Sequence, residues 1–323
     1  MFYNCDVSII SYHEFLFPSV CILGAPLSEL SLFTSCIRQG DAVLLEEQKE
    51  SLQGEKENVI RRLLTFTTWS VLAAVREMTR VKILSLHPDL VQFYEENVCV
   101  VLQESVNIAN CPQGSNEWKK YRSLRQTANK ARAQYTYYVN SKADWGKRYQ
   151  DVYHSTFRGN EYTADGLKGE IVARDLYEEK YKCKVFECGL LVRPELPWLG
   201  ASLDGTVLDD NGNFIKNIEI KTFKEGKRLT AQELVEFNCV NTVDVNGNVK
   251  TQNNHYCQMQ IGMLLSGLDT CDCVLYSELN SGNIFEIPVL FDSSHVLDVC
   301  SRLVNVYFEE FLPRMMQDNL SAT

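Results

Sequence analysis

The sequence predicts a mixed α/β (α+β) protein: a central mixed β-sheet flanked by helices, preceded by a mainly helical N-terminal region. Three observations carry this. Over residues 41–86 apolar residues recur at helical spacing, marked by Leu44, Leu45, Leu52, Ile60, Leu63 and Leu64. The segment Asp209-Asp210-Asn211-Gly212-Asn213 is a hairpin signal between two strand-like runs, Thr206-Val207-Leu208 and Ile218-Glu219-Ile220-Lys221. Beyond it, apolar runs of strand length and helix length alternate to the end of the chain.

The elements follow in order. Gly54 falls inside the first helical stretch, and a second follows Pro88 over residues 90–106. Asn110-Cys111-Pro112-Gln113-Gly114-Ser115-Asn116 is turn-rich and sets a boundary at about residue 112. We therefore divide the chain into 1–112, mainly helical and without a motif assignable to chemistry, and 113–323. In the second part, residues 167–179 have helical spacing through Leu167, Ile171, Arg174 and Tyr177. Residues 184–192, 273–276 and 284–290 read as strands. The polar stretch 238–254 reads as a hairpin or loop beside the site. Residues 255–267 form an apolar helix that carries glutamines and ends at Gly267. Residues 296–311 close the chain as an amphipathic helix.

Composition narrows the class. At 323 residues and 45% hydrophobic content there is room for one large or two modest cores. The twelve cysteines lack any Cys-x-x-Cys pair, and Cys271-Asp272-Cys273 is too tight for the usual zinc pair. They sit at apolar positions, as buried thiols do, which fits a reducing compartment and argues against disulfide or iron–sulfur frameworks. The N-terminus lacks a basic segment before its apolar run, and the apolar stretch 63–75 is too short to span a bilayer. The expectation is a soluble intracellular protein with no membrane partner.

Charge is segregated. Residues 118–148 hold nine Lys or Arg against Asp144 alone, a net +8 in a chain of −10, which leaves −18 for everything else. That is the footprint of a phosphate-binding surface on an acidic protein. Lys119, Lys120, Arg122, Arg125 and Asn129 are the expected DNA contacts. The interleaved Tyr121, Tyr135, Tyr137, Tyr138 and Trp145 suit base stacking, but core packing is the better reading for them.

The chemistry centres on Asp204, Glu219 and Lys221. On a strand, Ile218 and Ile220 face one side and Glu219 and Lys221 the other. The hairpin returns Asp204, in Ser202-Leu203-Asp204-Gly205, beside Glu219. Magnesium prefers oxygen ligands, keeps several waters, and is satisfied by one or two carboxylates plus a substrate phosphate. A neighbouring lysine can orient the attacking water, deprotonate it, or neutralise developing charge. If Lys221 sheds a proton, activity rises above neutral pH. Two further residues admit two readings each. Glu170 reaches a metal from its helix, or pairs with Arg174 at i,i+4. Gln258 is a site residue or a buried hydrogen bonder. His255 reads as a helix-start polar residue, since no second histidine lies at ligand spacing.

Five motifs occur in one order: Trp118…Arg122 with Thr127-Ala128-Asn129, Glu170-Ile171-Val172-Ala173-Arg174, Ser202-Leu203-Asp204-Gly205, Glu219-Ile220-Lys221, and Gln258-Met259-Gln260. Together they resemble the lambda-exonuclease and YqaJ-type viral recombinase family, whose wider PD-(D/E)XK class includes the alkaline nucleases of large DNA viruses. The likeness covers residues 118–263. It implies a PD-(D/E)XK nuclease core in 113–323 and a magnesium-dependent 5′-to-3′ exonuclease acting on duplex DNA ends in viral-type recombination or replication. Manganese is implied as a substitute ion. The resemblance gives Asp204, Glu219 and the Ile220 carbonyl as metal ligands, and Glu170 as a second-metal or water ligand. Lys221 then serves the water, Gln258 positions Lys221 or the phosphate, and Arg122 grips the terminal 5′-phosphate. Asn129 stands where the family pattern has serine; its amide can still donate to phosphate oxygen. A homotrimer, a single-strand-annealing or single-strand-binding partner, and the nucleus of a host cell if the chain is viral are also implied. The rivals are a structure-specific endonuclease with the same metal site, and a noncatalytic DNA-binding protein on a relict fold.

Overall fold

The computed structural model describes residues 53–65, 70–154, 161–237, 241–244 and 246–322. The marks Leu44, Leu45 and Leu52 lie outside the described residues. Among the described residues, those from Glu55 onward form one compact unit.

Helix comes first, as the periodicity predicts. Residues 53–65 (α1) are helical, followed by α2 (Ser70–Leu84), α3 (Pro88–Asn97) and α4 (Leu102–Asn110). The run predicted over 90–106 is two helices rather than one, because the chain is extended at Val101 before α4 starts. Ile60, Leu63 and Leu64 are buried, as their spacing implies. They share one hydrophobic core with the C-terminal helices, through Val296, Leu303, Phe308 and Phe311. Trp198, wholly buried, donates its indole N–H to the Thr79 hydroxyl (3.0 Å) and ties α2 to the sheet region.

The basic segment folds as α5 (Asn116–Ser123), a short β1 (Gln126–Thr127), α6 (Ala128–Tyr137) and α7 (Trp145–Tyr153). The long α8 (Glu161–Tyr181) precedes two groups of strands. β2 (Lys184–Phe186), β5 (Gly205–Leu208), β6 (Phe214–Thr222), β7 (Thr270–Ser277) and β8 (Asn283–Leu290) form the main sheet, in the order β2-β5-β6-β7-β8. Only β6–β7 is parallel within it, so the sheet is mixed as predicted. β1, β4 (Leu199–Ala201) and β3 (Leu191–Val192) form a separate small sheet. The strand predicted over 184–192 is thereby split between the two sheets.

The predicted hairpin is present. Asp209 N–H donates to the Asn213 carbonyl (2.9 Å), and Gly212 takes φ +74°, which a residue without Cβ adopts freely. The polar stretch 238–254 contains an antiparallel bridge, Val243 to Val249. α9 (Ala231–Glu236) precedes it, and α10 (Asn254–Ser266) follows and ends on Gly267 at φ +79°. The closing helix runs farther than predicted. α11 (Ser293–Asn305), capped by Asp292, passes through a π-helical turn, Val306–Phe311, into α12 (Leu312–Ala322). Pro313 lacks an N–H and would clash with the carbonyl four residues back; the wider turn just before it lets the helix continue. Among the described residues no helix is long and apolar enough to cross a membrane.

Candidate active site

Two strand pairings assemble the site. Gly205 lies opposite Ile218 in the antiparallel β5–β6 pair, so Asp204 emerges beside Glu219 and Ile220. The Ile220 N–H donates to Asp204 Oδ2 (2.7 Å). In the small sheet β1 runs parallel to β4, with Thr127 opposite Gly200. The residues just beyond those two strands, Asn129 and Ser202, therefore come out side by side and carry the basic helices to Asp204.

Glycines permit the close approach. A Cβ on Gly205 would lie 2.2 Å from Val185 Cγ1, and one on Gly169 would lie 2.8 Å from Thr222 Cγ2. α8 thus beds against β6 on Gly169, Ala173 and Tyr177. The helical spacing puts Leu167 and Ile171 on the packed face, but both are more than half exposed. Small residues bring the helix nearer the sheet than Leu or Ile would allow. The result sets Glu170 over Asp204, both lining a cleft of about 450 Å³ with Arg174 and Glu187.

The electrostatics bind these groups together. Glu219 is only 3% exposed, so it is not half of a solvated surface pair. Its carboxylate accepts a hydrogen bond from Lys221 Nζ. Burial, then the Asp204 charge, pushes the Glu219 carboxyl well above the usual range, with Lys221 opposing. Burial pulls Lys221 down, but Glu219 and Asp204 outweigh it and hold the ammonium protonated. That favours Lys221 as an orienting and neutralising charge over a group that must shed its proton. Burial, then Asp204, pushes Glu170 up to about 7. The i,i+4 reading of Glu170 fails, since Arg174 pairs with Glu187 (2.6 Å) and donates from Nε to the Asp204 carbonyl (3.2 Å).

Among the described residues no three His, Cys, Asp or Glu side chains are pregathered as a metal cage. The donor chemistry nonetheless fits a hard divalent ion. The Asp204 charge raises the proton affinity of both Glu170 and Glu219, where burial already opposes charge. A cation relieves both penalties, and magnesium takes only one or two carboxylates besides water and phosphate.

A stability prediction follows. Glu170 and Glu219 hold protons more tightly folded than unfolded. Their contribution is full below the ordinary carboxylate range and is lost as pH rises through about 7, the Glu170 value. The melting temperature of the metal-free protein should fall between about pH 5 and 8. Millimolar magnesium should restore it at the upper end, and Glu170→Gln should flatten the dependence. Scanning calorimetry with and without chelator checks this; a pH-independent difference between wild type and Glu170→Gln would refute it.

The basic side meets the same aspartate. Arg122 stacks on the Trp118 ring (4.2 Å), donates to Ser202 Oγ (3.3 Å) and to Asn129 Oδ1 (3.2 Å), and pairs with no carboxylate among the described residues. Asn129 Oδ1 also accepts from Thr127 (2.8 Å), which leaves the amide NH₂ to donate toward the cleft. Arg122, Asn129, Gln258 and Asp204 line one cleft of about 170 Å³. Lys130 and the exposed Lys119 line a neighbouring one with Arg122, and Lys120 is also exposed.

Gln258 therefore faces the site. Gln260 is the buried hydrogen bonder, donating to the Leu290 carbonyl and accepting from Asp292 N–H (both 2.7 Å). His255 is a helix-start residue, its N–H bonded to the Asn253 cap. Arg125 corrects an expectation. The residue is 2% exposed and its guanidinium donates to the carbonyls of Pro197, Tyr121 and Val98 (each 2.9 Å), so its donors are spent on clamping the core. Several aromatics of the segment are likewise packed: Trp145 contacts Tyr137 and Phe311, and Tyr135 donates to Asp298 (2.5 Å), whereas Tyr138 is exposed. Sequence reasoning misses Ser202 as the bridge to Arg122, although it lies within a motif. It also misses Gln113, which donates to the carbonyls of Cys188 and Leu203 (3.1 and 3.0 Å) and lines both clefts at Asp204. Nothing in a turn-rich loop marks such a residue.

A family model, the YqaJ-like viral recombinase domain, matches residues 117–269, from α5 to just past α10. The matched span is a little under half of the chain. No curated protein matches. Among solved structures, the chain is similar to an alkaline exonuclease from Laribacter hongkongensis (20% identity, TM-score 0.47, 65% of this chain and 100% of that one). It is similar to a phage-related exonuclease from Haemophilus somnus 129PT (12%, TM-score 0.41, 61% and 98%). A third likeness is to SOX in a DNA complex (10%, TM-score 0.44, 80% and 92%).

Proposed function

We propose that the chain is a magnesium-dependent exonuclease that degrades one strand of duplex DNA from the 5′ end, in viral-type recombination or replication. The observation that carries this is the single cleft shared by Asp204, Gln258, Asn129 and Arg122. A guanidinium lining the same cleft as Asp204 suits the grip of a strand end beside the cleavage site. Nucleases of this family are generally dependent on divalent metal. Asp204, Glu219 and the Ile220 carbonyl would hold magnesium, with Glu170 above them; manganese would substitute. The N–H and C=O of one strand residue leave from the same edge, and the Ile220 N–H already meets Asp204, so its carbonyl is turned to the same side. The bound ion would supply Lewis-acid stabilisation of the phosphoryl oxygens and a more acidic water. Lys221 holds its proton and orients the water or neutralises charge. Gln258 positions the phosphate by its amide, and Arg122 grips the 5′-phosphate, with Lys119 and Lys120 adding long-range attraction. The helices before residue 112 serve as a packed flank, and 113–323 as the nuclease domain. A ring-shaped homotrimer and an annealing or single-strand-binding partner complete the proposal.

End-labelled linear duplex and covalently closed circular duplex, each with and without magnesium, test the reading. Release of nucleotides from linear DNA alone is expected. Cutting of the circle would move the chain to the endonuclease rival, and no cleavage with either ion to the noncatalytic one. Arg122→Ala should slow digestion of 5′-phosphorylated ends by about tenfold or more, the worth of a charge-assisted hydrogen bond. It should change little on 5′-hydroxyl ends; equal losses on both would remove the phosphate assignment.

A further inference from the structure

The first helix reaches the site. On α1, Lys56 lies one turn before Ile60 and two turns before Leu63 and Leu64, so helical spacing sets it on the face those three bury. Arg62, on another face, fixes the helix to the hairpin: it donates to the Gly212 carbonyl (2.9 Å) and stacks over Phe214 (5.6 Å). Lys56 is half-buried and lines the cleft of about 450 Å³ that holds Asp204 and Glu170, beside Gln113, Cys188 and Gly189. Gly189 allows that close floor, since a Cβ there would lie 2.0 Å from the Cys111 carbonyl oxygen. Burial pushes the Cys188 thiol up to about 12, with the Lys56 charge opposing. The lining holds one other cation, Arg174, which is engaged by Glu187 (2.6 Å) and the Asp204 carbonyl (3.2 Å). Lys56 pairs with no carboxylate among the described residues. Leu167 and Ile171, both more than half exposed, give the same cleft an apolar wall.

We infer that Lys56 binds the phosphate that follows the scissile one on the strand being cleaved, which makes the first helix part of the DNA track. The inference rests on the nuclease reading above and deepens it. Two clefts meet at Asp204 and Gln113, one holding Arg122 and the other Lys56. A strand held by its 5′-phosphate at Arg122, with its next phosphate at Asp204, leaves by the second cleft. There the carboxylates of Glu170, Asp204 and Glu187 repel it. An ammonium without a carboxylate partner offsets that repulsion, and its contact with a phosphate oxygen is a charge-assisted hydrogen bond. Partial burial strengthens the pairing relative to one made by a fully exposed lysine. Leu167 and Ile171 add a surface for a sugar or base, which a small inorganic anion would leave bare.

The test is fluorescence anisotropy of a 5′-phosphorylated duplex, labelled at its far end, with the full chain in chelator. Lys56→Gln removes the charge and, among the described residues, leaves no carboxylate without its partner. It should weaken binding by about tenfold, as loss of one charge-assisted hydrogen bond does, and lower the salt dependence by about one contact. Lys56→Arg should restore most of the affinity. Position is read with a duplex in which the third phosphate from the 5′ end is replaced by an uncharged methylphosphonate. That replacement should weaken wild-type binding by about tenfold and leave Lys56→Gln almost unaffected. Lys56→Gln binding as tightly as wild type would overturn the inference. So would losses from the variant and the methylphosphonate that simply add, which would reduce Lys56 to diffuse surface charge. Failure of wild-type protein to cleave DNA with magnesium would sink the nuclease reading alone, since binding is measured without metal.

Discussion

Glu219→Gln and Asp204→Asn should each lower magnesium-dependent DNA hydrolysis by about a thousandfold, while affinity for duplex ends stays within about threefold. Pre-organised charge at the reacting phosphate is worth about 10²–10³ per group in comparable sites, and these two carboxylates also hold the ion. The amide variants keep shape and hydrogen bonding but lose charge. In Asp204→Asn the amide oxygen would still accept from the Ile220 N–H, which in the wild type meets a carboxylate oxygen at 2.7 Å. Both variants should fold; Asp204→Asn should be no less stable at pH 8 than the metal-free wild type, since it removes a charge that repels Glu170 and Glu219, whereas Glu219→Gln also takes the carboxylate partner from Lys221. Lys221→Ala should also lose activity, but by a different route. It strips the ion-pair partner from a carboxylate that burial already pushes toward protonation, so magnesium binding should weaken as well. Single-turnover rates beside calorimetric magnesium titrations separate the cases. Retention of a tenth or more of wild-type activity by Glu219→Gln would break the assignment of the site.

Arg125→Met should destabilise the protein by about 3 kcal/mol or more, while Arg122→Ala changes stability by less than about 1 kcal/mol. Removing the Arg125 guanidinium leaves the buried carbonyls of Pro197, Tyr121 and Val98 without their donor. Each such loss costs about 1–3 kcal/mol. The lost contacts join α3, α5 and the turn before β4, so the change should also loosen the path to Asp204. Urea denaturation of the metal-free protein provides the measurement. An unchanged midpoint for Arg125→Met would contradict the clamp. The two arginines stand three residues apart in one basic run, yet one change should act on folding and the other on DNA ends.

That pair shows where sequence reasoning stops. A count of positive charge treats Arg122 and Arg125 alike, because composition carries no information on which side chain the core encloses. The same holds for the two glutamines of α10. Both sit in one motif, but helix rotation turns Gln258 to the cleft and Gln260 to the Leu290 carbonyl. On α8 the apolar pattern points to Leu167 and Ile171, and packing chooses Gly169 and Ala173, because a close approach to β6 excludes larger side chains.

Local rules were enough for the parts that need only neighbours in the chain. Alternation along β6 placed Glu219 and Lys221 on one face, the Asp209–Asn213 turn brought β5 back alongside, and Gly267 ended α10. These follow from backbone geometry and turn chemistry, which act over a few residues. Tertiary structure alone decided the environment of each group: that Glu219 is buried, that Arg174 turns away from Glu170 to Glu187, and that Arg122 shares a cleft with Asp204. Burial and long-range pairing depend on elements far apart in sequence, and a charged side chain's chemistry depends on that burial more than on its neighbours in the chain.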